Sequence, residues 1–206
     1  FFWLGGITRP YHIPYRIMVP QKVDGLIVSG AVSATHLGYG TLRMEPVWMA
    51  LGQAAGTAAH IANRLFLEPR EVPVNRVQAL LLRDNAIITV FDDVREPSES
   101  VPPEMWQALQ FWGTRGFFDS YEAMPLQPMT RGEAAQWVMR AINLGDFMTG
   151  YGPSAKHSGG GEPASCLAQI ELLGLALAGE PDSPFSRAEI DLWISRTAPW
   201  IDGSMG

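Results

Sequence analysis

The apolar positions of this chain change their spacing along its length. Two short runs come first. "YHIPYRIMV" (11–19) reads as a strand, edge-like or irregular because of its prolines, and "GLIVSG" (25–30) as a strand buried on both faces and ended by glycine. From about Pro46 to Arg64 the spacing turns helical, with Pro46 suited to the first turn. Small residues recur along that helix at Ala50, Ala54, Ala58 and Ala62, with Gly52 and Gly56 beside them. A glycine inside a helix costs about 1 kcal/mol relative to alanine, so close approach of a backbone or ligand is expected to offset it. "VNRVQALLLRDNA" (74–86) predicts another helix, with Asn75 as its cap and Val77, Leu80 and Leu81 on one face.

Beyond residue 90 the pattern changes again. "VREPSESVPPE" (94–104) is a linker in which successive prolines remove backbone donors. Short helical patterns follow, interrupted by the flexible stretch "GYGPSAKHSGGGEPAS" (150–165). "PMTRGEAAQWVMRAI" (128–142) and "PFSRAEIDLWISRTA" (184–198) align with each other. Each opens a helix with Thr/Ser–Arg–x–Glu, the signature of a capping box, so one helical unit is expected twice. Trp106, Phe111, Trp112, Phe117 and Phe118 are spaced as core. The expected architecture is α/β over residues 1–90, then a small all-α region of two helical repeats, 91–149 and 150–206 with its linker.

Composition changes this picture little. Nearly half of the 206 residues are hydrophobic and the formal charge is -6, which suits a folded chain and argues against nucleic acid, whose phosphates need a basic stripe. The single cysteine, Cys166, excludes an intrachain disulfide and any multi-cysteine metal site. No apolar run reaches the roughly 20 residues of a membrane span. The start "FFWLGG", without Met, reads as an internal cut, so missing targeting signals say little.

The candidate chemistry lies between the "LIV" strand and the helix near Pro46, where ligands gather in open α/β folds. The loop holds Ser33, Thr35, His36, Gly38, Gly40 and Arg43, and the helix start is expected to aim unpaired N–H groups at it. Such an end suits the pyrimidine edge of a reduced flavin or a phosphate equally well.

Four motifs occur here in order: "YHIPYR", "VDGLIVSG", "SATHLGYGTLR" and "GQAAGTAA". Together they resemble the carboxyl-terminal end of the FAD-dependent oxidoreductases that include enzymes annotated beside xanthan lyases. The resemblance covers about residues 11–86, with Gly25, Ser29 and Thr41 as mild departures from Asn, Ala and Ser. It implies FAD as cofactor, with Gly30, Ala31 and Ser33 near its ribityl or pyrophosphate part. Thr41, Leu42 and Met44 would face the flavin ring, with Gly40 also in the cofactor site. It further implies His36 and Arg43 on the reactive side, as proton donor and cation, and Tyr15 and Arg16 lining the pocket of an unidentified small-molecule or carbohydrate substrate. The family's G-x-G-x-x-G fingerprint is missing, since "GGITRP" and "GGGEPA" lack the strand–turn–helix context it requires. An amino-terminal half of the same polypeptide is therefore the expected partner.

The repeats, with "FDDV" (91–94), resemble S-layer homology repeats. That resemblance implies Arg131 and Arg187 as glycan-contacting residues, Glu133 and Glu189 as capping residues, and a bacterial envelope or periplasmic setting. Two other readings stay open: a glycan-binding module of the cell envelope, and a structural subunit that has lost catalysis. No residue pattern suggests a metal site.

Overall fold

Backbone hydrogen bonds decide what becomes of the expected strands. A computed structural model describes residues 9–130, 133–134, 136–137 and 185–186. In it Pro14 and the residues after it close into a tight turn: Ile17 N–H donates to Pro14 O at 3.2 Å and Val19 N–H to Arg16 O at 3.3 Å. Tyr15–Met18 is accordingly a 3₁₀ turn, not a strand. The "GLIVSG" run joins no ladder and meets its neighbour through isolated bonds, Val28 N–H to Met18 O at 2.8 Å and Ser33 N–H to Ile17 O at 2.9 Å.

The α/β expectation is thereby overturned; the described residues are predominantly helical, and residues 9–89 contain no sheet. The physical reason is that a doubly buried strand needs a partner along each edge. Here the prolines at 14 and 20 remove donors, and the 3₁₀ turn uses the neighbouring groups locally.

Four helices are described: α1 (His36–Leu42), α2 (Glu45–Leu65), α3 (Val74–Arg83) and α4 (Pro103–Gly113). Among the described residues the one β pairing joins β1 (Pro128–Met129) and β2 (Phe185–Ser186). The chain divides into two compact units between Thr89 and Val90.

In the first unit α2 supplies the frame. Its inward residues Ala58, Ile61 and Ala62 join Val72, Val77 and Leu81, so α2 and α3 share a small aliphatic core. A second cluster gathers Met18, Val32, Leu42 and Leu51. The α2 helix ends at Phe66, which takes the left-handed conformation at φ 55° while 96% exposed. Asn75 does not cap α3: the helix starts one residue earlier, and the N-cap position is Pro73.

Side chains rather than a ladder hold the loop ahead of the "LIV" run. Arg70 donates to Gln21 O at 3.4 Å and Val23 O at 3.2 Å, and pairs with the Asp24 carboxylate. Gly25 turns there at φ +66°, its N–H donating to the Glu68 carboxylate at 2.8 Å. That left-handed turn favours glycine or asparagine, which is why exchanging one for the other at this position is mild.

The second unit is closed by aromatic rings. Trp106, Phe111, Trp112 and Phe117 are all buried. Phe117 stands edge-on to Trp137 at 4.8 Å between centroids and lies 5.5 Å from both Trp112 and Phe118. The core assignment of these aromatics holds. Asp93 of the "FDDV" stretch accepts the Ala123 and Met124 N–H groups at 2.9 and 2.6 Å. The capping box also forms: Thr130 N–H donates to Glu133 Oε2 at 2.7 Å and Glu133 N–H to Thr130 Oγ1 at 3.3 Å. Arg131, Arg187, Glu189 and most of the second repeat lie outside the described residues. β1 and β2 run antiparallel, Met129 opposite Phe185 and Pro128 opposite Ser186.

Candidate functional site

The segment read as a loop between Gly30 and Pro46 contains a helix. Thr35 is its N-cap, the hydroxyl accepting from Gly38 N–H at 3.1 Å. That cap lets α1 form despite two glycines in seven residues, which propensity alone disfavours. Tyr39 fixes its other side: the phenol donates to Gly30 O at 3.3 Å.

This helix separates residues that the sequence suggested as one group. His36 opens α1 and Arg43 is its C-cap residue, so they sit at opposite ends of a helix about 10 Å long. Both are exposed. Among the described residues Arg43 has no ion pair with Glu45, although the two are close in sequence.

The other candidates divide by exposure. Ala31, Ser33, Gly40, Thr41 and Met44 are exposed and Gly30 is half-buried. Leu42 instead points into the core beside Met18, Val32 and Leu51. Arg16 is exposed, whereas Tyr15 is half-buried against both aliphatic clusters. The Tyr15 phenol donates to Pro69 O at 2.8 Å, and burial raises its pKa above the ordinary value.

The start of α2 is not the bank of free donors expected from the sequence. Pro46 has no N–H, and Val47 and Trp48 both donate to Met44 O, at 3.0 and 3.1 Å. Glu45 also places a carboxylate in the first turn. Phosphate would meet few donors and a negative charge there.

What this part of the first unit does offer is room. A Cβ built on Gly30, Gly40, Gly52 or Gly56 would meet nothing within 4 Å. One face of α2 is packed and the other, carrying Gly56 and the 75% exposed Met49, is open. Leu37, Met44 and Trp48 are exposed as well. Sequence reasoning missed Tyr11, whose phenol bonds the Thr41 hydroxyl; nothing in the local spacing signals a pairing across that distance in the chain.

Residues 4–81 match the model of the FAD dependent oxidoreductase family. No curated protein and no solved structure matches the chain. The first unit therefore contains an FAD-oxidoreductase-related region. The match does not extend to the second unit, and the comparisons support neither the branch beside xanthan lyases nor S-layer homology repeats. Among the described residues no group of His, Cys, Asp and Glu could hold a metal ion, and no helix is long and apolar enough to cross a membrane.

Proposed function

We propose that residues 9–89 supply the flavin-ring side of the FAD site of an oxidoreductase. The pyrophosphate side then comes from another part of the same polypeptide, carrying the glycine fingerprint that this chain lacks. The observation that carries this reading is the open space at Gly30, Gly40, Gly52 and Gly56, within a stretch matched by the FAD dependent oxidoreductase model. Gly40 and Gly56 are exposed, and the space over them would admit a flat group. Spent donors and the Glu45 carboxylate at the start of α2 favour an uncharged ring over a phosphate at this end.

Gly30, Ala31 and Ser33 would flank the sugar-alcohol chain of the cofactor, with Gly40, Thr41 and Met44 beside the ring. Leu42 would support them from the core rather than by contact. Bound FAD would supply the redox chemistry. His36, exposed at the start of α1, is the candidate proton donor to substrate. Arg43 is the candidate cation for a negatively charged substrate group, and Arg16 an exposed residue at the pocket margin. The spent hydroxyl of Tyr15 makes it a wall residue.

The test is the full-length gene product containing this chain, purified and measured for flavin absorbance. The expected result is a yellow protein whose FAD is lost on Gly40→Val, where a branched side chain enters the open space. A colourless protein that ignores added FAD would refute the proposal.

A further inference from the structure

Tyr11 reaches α1 from far along the chain. Its side chain is 53% exposed, yet its hydroxyl is held against Thr41 Oγ1, thirty residues away. Thr41 in turn donates its single proton to Gly38 O at 3.1 Å. With that proton spent, Thr41 can meet Tyr11 only as acceptor, so the phenol O–H donates to Thr41 Oγ1. A hydroxyl oxygen has two lone pairs. Tyr11 takes one, leaving an acceptor site on an exposed residue beside Gly40, whose Cβ position is open.

We propose that Tyr11 is a positioning residue: it fixes the Thr41 hydroxyl as a hydrogen-bond acceptor, and so selects an N–H edge of the flavin ring at this point. This rests on the flavin reading given above. The chain of donors, Tyr11 to Thr41 to Gly38 O, gives the hydroxyl a defined polarity. Without the phenol, the Thr41 proton is free to leave Gly38 O and point outward, and the site then tolerates a carbonyl as readily as an N–H.

The experiment compares Tyr11→Phe, Thr41→Val and the double variant in the full-length gene product. It reads the FAD dissociation constant by fluorescence and the visible absorption bands of the bound flavin. One hydrogen bond is at stake, so each single variant is expected to weaken FAD by about five- to tenfold. The double variant is expected to be no weaker than the weaker single one, with both singles moving the absorption bands in the same direction. A phenol serving only to steady the loop would leave the bands in place. The proposal is overturned if wild-type protein binds FAD but Tyr11→Phe stays within about twofold with unchanged bands, or if the two effects multiply as independent sites do. Absence of FAD binding by the wild type instead overturns the flavin reading, and this inference with it.

Discussion

The two units use apolar residues in opposite ways. The first divides its buried residues between two small aliphatic clusters on one side of α2 and leaves Leu37, Met44, Met49 and Phe66 in solvent. The second turns its large rings inward, with Phe111, Trp112 and Phe117 at 1% exposure or less. Glycine-rich helix and open face go together in the first; ring-on-ring packing and closure go together in the second. The difference teaches that small residues mark two kinds of site. Where a neighbour fills the space above them they are packing devices, and where nothing does, as at Gly56, they leave the helix face open.

That contrast can be broken most directly in the second unit. Phe117→Ala removes a fully buried ring that touches Trp112, Phe118 and Trp137. It is expected to cost about 3–5 kcal/mol in urea unfolding, and a loss below about 1 kcal/mol would show that this core is not closed. A smaller effect of opposite sign is expected in the first unit. Gly56→Ala places a methyl group in empty space and improves helix propensity, so this chain should gain up to about 1 kcal/mol. In the full-length protein the same change should weaken FAD retention. If both stability and flavin binding improve, the open face is not the cofactor's.

The smallest effect concerns pH. Burial holds the His12 imidazole below its ordinary 6.5, with Nε2 paired to the Thr89 hydroxyl at 3.2 Å. Because the folded value is depressed, the unfolded chain takes up the proton first as pH drops. His12 therefore adds stability above 6.5 that is lost as pH falls through its folded value. A slight fall in the unfolding midpoint between about pH 7 and pH 5 is expected, and His12→Gln should flatten it. An unchanged slope would place the titration elsewhere.

Much of this was legible from residue order alone. Pro46 and the small-residue spacing located α2, and Thr-Arg-x-Glu located the capping box, because both signals act within one helical turn. The aromatic core was legible because rings at helical spacing have little else to do. The sheet was misread for a physical reason: "GLIVSG" carries the apolar signature of a buried strand, but a strand exists only with partners, and apolar pattern does not state where they come from. α1 was missed because its two glycines outweighed a Thr35 cap that becomes visible once Gly38 N–H is seen to point at it. Within the candidate site, exposure could be guessed for Thr41 and Met44. Burial of Leu42, separation of His36 from Arg43, and the Tyr11–Thr41 pairing all depend on how α1 is turned, which the spacing does not encode.

The short pairing of β1 with β2 carries one more consequence. Corresponding positions of the two similar segments face each other, Met129 against Phe185, so among the described residues each segment finds its strand neighbour in the other. Two residues of ladder cannot stand alone in water. Separating the two segments would remove this pairing from both.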